Sequence, residues 1–451
     1  MAHSKTSIDM TSGNIWKQIA AFALPVLLGE VFQLSYLLVD SAIVGNFIGD
    51  RALAAVGASE TMTRVIVGFF NGVAVGCTVI AARAFGRKDM DALRNTVRTI
   101  IYLSLGLGVL LGILGFSFSG ILISLMKVPA DTAPLAKAYL RIYFAGVVGL
   151  ILYNSVSGIL RAVGDSKRPL YFLIMSSLLN IGLDVLFVAV LKAGVQGAAF
   201  ATILSQAIAA VFSLTLLMRT EEPWRFLPKG QMDRSAVHDI ITIGIPIGLQ
   251  KSIVSLSNVI VLSHISYFGT ACLAGWVVYT KMSHVLTMTV QSLTTAVTTF
   301  VGQNNGARNY RRTQEGVRVT LLECLSVVII LIAGVILFRK PVIRFFGDSA
   351  EMYRFAEQFV CWLIPFQVLH AFMSVYIGTL RGCGKAAATT VYMLTGLVAA
   401  RQLYLLIVVR VLNTPVSVGL AYPLGWLVSG LMGFVYYQSH KEKDLFGQRS
   451  S

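Results

Sequence analysis

The feature that most constrains this chain is a series of long apolar segments that recurs along its whole length. A helix needs about 20 mainly apolar residues to cross a bilayer, and twelve segments meet that requirement. Only 13% of the 451 residues are charged, whereas a soluble domain normally carries about 25%. The sequence therefore predicts an all-α integral membrane protein. The predicted spans cover roughly 16–45, 52–82, 97–124, 135–160, 169–191, 197–218, 237–267, 271–301, 317–338, 354–380, 387–410 and 416–437.

The basic residues predict the orientation of the chain in the membrane. The formal net charge is +16, but Lys and Arg occur in short clusters between apolar segments instead of on one basic module, which argues against a nucleic-acid partner. The clusters follow the even-numbered segments, for example around Arg87, Arg168 and Arg311. Because cytoplasmic loops carry the excess of Lys and Arg, both termini are predicted to be cytoplasmic, in a multi-pass protein of the inner or plasma membrane.

A polar segment near the middle of the chain, residues 219–235, predicts a cytoplasmic linker between two halves. The N-terminal lobe would then cover residues 1–218 and the C-terminal lobe residues 236–438, followed by a cytoplasmic tail, residues 439–451. Each half holds an even number of spans, so both halves enter the membrane in the same direction. We expect two bundles related by an axis along the membrane normal, with a cleft between them that can open to either side.

An internal repeat supports this division into halves. Self-comparison at an offset near 220 gives matches that fall at the same place within each half, in loops and at a helical proline. Ordered matches of this kind indicate duplicated six-helix units. The matching residues include Gly86 with Gly306, Arg98 with Arg318, Arg161 with Arg381, Gly164 with Gly384, and, one residue out of step, Pro25 with Pro246.

Two carboxyl groups lie deep in predicted spans of the first half. Asp40 in span 1 and Asp184 in span 5 are both about 10 Å from the predicted outer ends of their spans at 1.5 Å per residue, and Thr202 in span 6 lies in the same layer. Asn180 precedes Asp184 by four residues and Tyr36 precedes Asp40 by four, so each pair shares a helix face. Because an ionisable group within a span is costly, this set is a functional candidate.

The chemistry of this set leaves two coupling ions open. Carboxylate, amide and hydroxyl oxygens at Asp40, Asn180, Asp184 and Thr202 suit a hard monovalent cation such as Na⁺. The same two acids could instead hold a proton, since one of two neighbouring carboxyls in a low-dielectric interior retains it readily. The structural alternative is that a neighbouring group hydrogen-bonds each acid and that the acids only join helices.

The second half does not repeat these acids, so any cation site is predicted to belong to the first half. Glu30 and Gln33 of span 1 are candidates for the substrate cleft, as are Lys281 and Arg401 of the second half. The alternatives are a locally satisfied Glu30, and snorkelling or interhelix pairing for the basic residues. At an offset of 220 to 221, Asp40 aligns with Val261, Asn180 with Ala400 and Asp184 with Tyr404.

The sequence lacks the motifs of an enzyme active site. There is no His-Glu-x-x-His, no Gly-x-Ser-x-Gly and no phosphate-binding Gly-Lys-Ser/Thr, which argues against a metalloprotease, a serine hydrolase and an ATP-driven pump. We therefore expect no enzyme activity and no cofactor apart from a coupling ion.

Several stretches carry a family resemblance that covers nearly the whole chain. They are FALPVLLGEVFQLSYLLVDSAIVGNFIG, VAVGCTVIAARAFGRKD, SGILRAVGDSKRPLYFLIMSSLLNIGLDVLFV and GVQGAAFATILSQ in the first half, and VGQNNGARN and GTLRGCGK in the second. The chain resembles the multidrug and toxic compound extrusion transporters, and within them the DNA-damage-inducible-F-like branch. This resemblance implies twelve helices in two six-helix lobes that form a V-shaped cleft.

The resemblance also implies roles for particular residues. In this branch an acid of the first helix, an Asn and an Asp of the fifth, a Thr of the sixth and a first-helix Tyr form the first-lobe cation site. These positions match Asp40, Asn180, Asp184, Thr202 and Tyr36. In addition, Pro25 matches a first-helix proline that is linked to bending of that helix. Other branches place coupling acids in the second lobe, where we find no acidic match.

These expectations combine into one functional hypothesis with one alternative. The hypothesis is a secondary active multidrug efflux transporter that couples export of small organic, cationic or amphipathic compounds to Na⁺ or H⁺ entry by alternating access, and that acts as a monomer. The alternative is a lipid-linked oligosaccharide flippase of the same superfamily. Such flippases commonly have additional spans and an electropositive cavity, whereas this chain has twelve predicted spans and acids in its first lobe.

Overall fold

The computed structural model describes residues 7–126, 128–347 and 349–441, and within these ranges the chain is helical and contains no strand. Twelve helices are long and apolar enough to cross a membrane, which confirms the predicted number of spans. The helix that contains span 2 begins at Asp50, and a short helix, Arg339–Phe345, lies between spans 9 and 10. Spans 1 to 12 are Ile15–Phe47, Val65–Gly86, Met90–Ser124, Ala133–Ala162, Lys167–Val190, Gly194–Arg219, Arg234–Ser266, Thr270–Gly306, Tyr310–Leu337, Ala350–Gly382, Ala386–Val411 and Pro415–His440.

The chain forms two compact units. Unit 1 consists of Leu24–Gly248 and the described part of Met1–Asp9, and unit 2 consists of Met10–Ala23 and the described part of Leu249–Ser451. Spans 1 and 7 are therefore each divided between the two units, and each contains a proline close to the division, Pro25 in span 1 and Pro246 in span 7. Since proline has no backbone N–H, each helix lacks one internal hydrogen bond there and can bend more easily.

One span forms the centre of each unit. Span 4 packs against spans 2, 3 and 6 in unit 1, and span 10 packs against spans 8, 9 and 12 in unit 2. Small residues allow the backbones to approach closely: a Cβ on Gly149 of span 4 would lie 3.0 Å from the Cα of Ala207 in span 6. Without a hydrophobic driving force inside lipid, such close packing is a main source of helix association. Span 4 thereby fixes the position of span 6, which carries Thr202.

The backbone confirms the internal repeat that the sequence predicts. Residues with a positive φ occur in matching turns of the two units, where helices end and a left-handed conformation lets the chain reverse. One equivalent hydrogen bond also closes the turn after each of spans 4 and 10, from Gly164 N to Arg161 O and from Gly384 N to Arg381 O. The matched positive-φ pairs are Gly49 (+105°) with Gly269 (+96°), Lys88 (+58°) with Arg308 (+57°), and Gly164 (+87°) with Gly384 (+69°).

The non-helical segment between spans 6 and 7 lies against the start of span 3. The Arg98 guanidinium donates from Nε to the carbonyl of Leu227 at 3.0 Å, and the backbone N–H of Asp233 donates to Thr99 Oγ1 at 3.0 Å. These bonds satisfy backbone groups of a segment without regular structure. They hold the connection between the two halves against unit 1.

Span 2 and the first half of span 7 cross within unit 1 at two pairs of glycines. A Cβ on Gly72 would lie 2.5 Å from the Cα of Gly248, and a Cβ on Gly76 would lie 2.6 Å from the Cα of Gly244. In each helix the two glycines are four residues apart, so they lie on one face. Only hydrogen in place of a side chain permits this backbone-to-backbone contact.

Candidate functional site

The structure brings together the two acids that the sequence predicts as a cation site. Asp40 lies seven residues before the end of span 1 at Phe47, and Asp184 lies six residues before the end of span 5 at Val190. Asp40 is 5% exposed and Asp184 is 0% exposed. The two carboxyl groups are close enough to interact electrostatically. Two acids from separate helices thus share one buried location in unit 1.

Buried polar atoms without partners surround this pair. Asn180 is 2% exposed and lies one turn before Asp184 on the same face of span 5. Among the described residues, neither carboxyl oxygen of Asp184 and neither amide atom of Asn180 has a hydrogen-bond partner of normal geometry. Because buried polar groups are nearly always satisfied, such a group of atoms needs a specific explanation. An ion or proton bound among these oxygens would supply it.

Tyr36 and Thr202 are the remaining residues of the predicted site. Tyr36 is half-buried, one turn before Asp40. Thr202 is half-buried and donates its hydroxyl hydrogen to the carbonyl of Ala198 at 3.1 Å, which leaves the lone pairs of its oxygen available to a cation. Spans 5 and 6 pack against each other.

An apolar cluster shows where spans 1, 5 and 6 meet. Its buried members include Ile43 and Val44 of span 1, Val188 of span 5 and Ala198 of span 6. Each of them lies about one helical turn from Asp40, Asp184 or Thr202, which places the three polar residues beside a common core. The site is therefore built on packed helices and not on loops.

The backbone changes its winding directly after Asp184. Residues Val185–Val190 form a π-helical segment, closed by a hydrogen bond from Leu191 N to Leu186 O at 2.8 Å. Short π-helical segments within longer helices occur frequently at functional sites. The sequence analysis did not predict this feature, and no signal in a single sequence would have shown it.

The charges and donor atoms limit which ligands suit the site. None of the ion pairs that described residues form includes Asp184. Within the described part of the chain, no group of three or more His, Cys, Asp or Glu side chains could hold a metal ion. The available donors are oxygens, which suit a hard cation such as Na⁺ or a shared proton, and no sulfur or imidazole set suited to a transition metal is present there.

The residues predicted for the substrate cleft lie in both units. In unit 1, Glu30 is half-buried and Gln33 is exposed, both on span 1. In unit 2, Lys281 is exposed on span 8, whereas Arg401 is only 1% exposed in the interior of span 11. Their assignment to a cleft remains a prediction.

One acid of the second half, Glu323, was not predicted from the sequence as a candidate. Glu323 lies near the middle of span 9, the most apolar of the twelve spans. The residue is half-buried, and its Oε2 atom has no hydrogen-bond partner among the described residues. The signal was present, since any ionisable residue within an apolar span is a candidate. The internal repeat does not point to Glu323, because at an offset of 220 it aligns with Leu103 and not with an acid of the first half.

Two repeated units of six long apolar helices are the architecture of many membrane transporters. The sequence model of the MatE family matches residues 25–186 and 246–404, once in each half. The chain therefore belongs to the MatE family of multidrug transporters, whose members are transporters and not enzymes.

Individual relatives agree with this assignment. The chain is 30% identical over 431 residues to "Probable multidrug resistance protein YpnP" of Bacillus subtilis (strain 168), covering 95% of this chain and 96% of that protein. It is 26% identical to "Probable multidrug resistance protein YoeA" of the same organism, with 94% of each chain covered. A solved structure described as the outward-facing conformation of a multidrug resistance MATE family transporter of the MOP superfamily has the same fold, with a TM-score of 0.91, 24% identity and coverage of 98% and 99%.

Proposed function

We propose that this protein is a secondary active efflux transporter that exports small organic compounds in exchange for Na⁺ or H⁺. The observation that carries the proposal is the buried pair Asp40 and Asp184. The carboxyl oxygens of Asp184 and the neighbouring amide of Asn180 have no hydrogen-bond partner of normal geometry in the described chain. A purely structural contact between helices could be made by Asn or Ser at a lower desolvation cost. Two acids at this position are therefore more readily explained by an ion that binds and leaves.

The pair supplies a means of coupling. When both carboxyls are ionised and no cation is bound, they repel each other, which favours separation of span 1 from span 5. A bound Na⁺ or proton removes the repulsion and favours their contact. Pro25 allows span 1 to bend fifteen residues before Asp40, so the two ligation states can favour different arrangements of that helix. An ion that binds one arrangement better than the other shifts the equilibrium between them.

The names of the relatives suggest the class of compounds that this protein transports. Relatives of this chain are named multidrug resistance proteins, and we propose that its substrates are likewise small organic compounds, cationic or amphipathic. Glu30, Gln33, Lys281 and Arg401 are the candidates for contact with them. We propose that the protein belongs to the DNA-damage-inducible-F-like branch and acts as a monomer in the inner or plasma membrane. Both termini would lie in the cytoplasm, since basic clusters follow the even-numbered spans.

The test is efflux of a fluorescent organic cation from proteoliposomes under a Na⁺ gradient or a pH gradient, imposed separately. We expect at least one of the two gradients to drive efflux, because the oxygens of Asp40 and Asp184 can bind either a hard cation or a proton. The orientation of the reconstituted protein is controlled by measuring both directions of each gradient. If neither gradient drives efflux but a lipid-linked sugar raises the thermal stability, the flippase is the better assignment.

A further inference from the structure

Arg401 is the largest fully buried side chain among the described residues, at 1% exposure. It lies in span 11, ten residues before the end of that span at Val411, and hence about 15 Å from that end. The residue follows directly on a π-helical segment, Thr395–Ala400. Unit 2 thus carries a cationic group at the depth where a charge is most costly, beside the same kind of irregular winding that accompanies Asp184 in unit 1.

The partners of Arg401 do not neutralise its charge. Its Nη1 atom donates to Asn258 Oδ1 at 2.8 Å, and its Cζ atom lies 5.0 Å from the centroid of the Tyr422 ring. Both groups are neutral. No ion pair formed within residues 7–126, 128–347 and 349–441 includes Arg401. A buried guanidinium is normally paired with an anion, so this one lacks its usual counter-charge.

The remaining donors of Arg401 define the shape of a missing partner. In the described chain, neither Nε nor Nη2 has a hydrogen-bond acceptor. These two nitrogens form one edge of the planar guanidinium, and their N–H bonds point in the same direction. That edge matches two oxygens of a carboxylate or phosphate in a bidentate pair. Asn258 occupies the opposite side and the Tyr422 ring lies near the guanidinium, so the orientation of the unpartnered edge is fixed.

The residues around Arg401 are more exposed than the guanidinium itself, whose Nε and Nη2 atoms are buried. Asn258, Tyr422 and Gln402 are each half-buried, so the polar surroundings of Arg401 reach the surface of unit 2. Gln402 is held in place by a hydrogen bond from its Nε2 atom to Ser257 Oγ at 2.7 Å. A ligand that displaces or passes Tyr422 would meet a positive charge within a polar and aromatic setting.

We propose that unit 2 binds an oxyanion, a carboxylate or phosphate group, through the Nε and Nη2 edge of Arg401. Asn258 orients the guanidinium, and Tyr422 stabilises its positive charge through the ring face. Arg401 is also a candidate for the substrate cleft, so the inference rests on the proposed function where the ligand is organic. Its test needs no ion gradient and can therefore fail separately from ion-coupled efflux. The oxyanion is either a free inorganic anion or the acidic group of an organic molecule.

The experiment measures anion binding to the purified full-length protein in detergent by isothermal titration calorimetry. The probes are inorganic phosphate, benzoate and, as the neutral analogue of benzoate, benzamide. Arg401→Gln removes the charge, Arg401→Lys keeps the charge but loses the bidentate edge, and Arg410→Gln is the matched control on the exposed part of the same span. We expect affinity about 10- to 100-fold lower in Arg401→Gln, the range for a lost hydrogen bond to a charged group.

Each outcome decides the proposal. Binding of benzoate alone supports an acidic group on an organic molecule, binding of phosphate alone supports an inorganic anion, and binding of both supports a general oxyanion site, provided that Arg401→Gln weakens it and Arg410→Gln does not. Should Arg401→Gln fail to fold, Arg401→Lys and the comparison of benzoate with benzamide in the unchanged protein make the same decision. The proposal is overturned if the unchanged protein binds neither anion, if benzamide binds as well as benzoate, or if binding does not depend on Arg401.

Discussion

Asp184→Asn is expected to abolish gradient-driven efflux while leaving the thermal stability of the protein equal to or higher than that of the unchanged chain. The substitution preserves the shape of the side chain but removes a charge that can bind a cation or proton. Efflux under the driving gradient should fall by about 100-fold, near the upper end of the usual range for coupling free energies of roughly 1–3 kcal/mol. Stability should not fall, because a buried carboxyl whose oxygens have no partner of normal geometry in the described chain is costly to keep.

The combination of the two results separates coupling from a structural role. If Asp184 only joined helices, its replacement would lower the midpoint of thermal unfolding, and any loss of transport would follow from loss of folded protein. Both quantities are measured on the same preparation, by efflux from proteoliposomes and by unfolding in detergent. Asp91→Asn is the matched control, since that side chain is 88% exposed and lies at the start of span 3. Unchanged efflux in Asp184→Asn would refute the assigned role.

Gly72→Ala is expected to destabilise the protein, whereas Gly68→Ala, four residues earlier on the same helix, is expected to stabilise it slightly. A Cβ on Gly72 would lie 2.5 Å from backbone atoms of Gly248, which cannot move aside as a flexible side chain could. Overpacking of this kind costs about 1–3 kcal/mol or more. No atom lies within 4 Å of a Cβ on Gly68, so alanine there gains roughly 0.5–1 kcal/mol through its better helix propensity.

The measurement for this pair is thermal unfolding of both variants in the same detergent, with efflux recorded alongside. The two substitutions add the same methyl group to the same helix, so the variants have the same amino-acid composition. The difference between their unfolding midpoints therefore reports on the crossing with span 7. Gly76→Ala should behave as Gly72→Ala does, since its Cβ would lie 2.6 Å from Gly244. Equal unfolding midpoints for Gly68→Ala and Gly72→Ala would show that spans 2 and 7 do not cross at these glycines.

The features that the sequence predicted well are those set by local composition. Twelve spans follow from the length of apolar segments, because lipid requires each spanning backbone to satisfy its own hydrogen bonds as a helix. The repeat was visible because particular turns need glycine, and Gly164 and Gly384 indeed adopt a positive φ in equivalent turns. The contact between Asp40 and Asp184 was predictable because both carboxyls lie at a similar depth and few positions at that depth are polar.

The features that the sequence did not predict depend on how helices pair and wind. Gly72 and Gly248 meet only because spans 2 and 7 cross at that height, and a single sequence does not record which helices touch. The π-helical segment after Asp184 uses ordinary apolar residues, so its composition resembles that of an α-helix. The burial of Arg401 likewise depends on spans 7 and 12, which supply Asn258 and Tyr422.

The central claim, that ions and organic compounds move in opposite directions through one protein, is tested most directly by substrate-driven ion movement. Proteoliposomes without any imposed ion gradient are given an inward gradient of the organic cation, and the internal Na⁺ concentration and pH are recorded. We predict that one of the two ions leaves as the compound enters, and that the movement disappears in Asp184→Asn but persists in Asp91→Asn. Entry of the compound with neither ion moving, or with equal ion movement in Asp184→Asn, would contradict the claim.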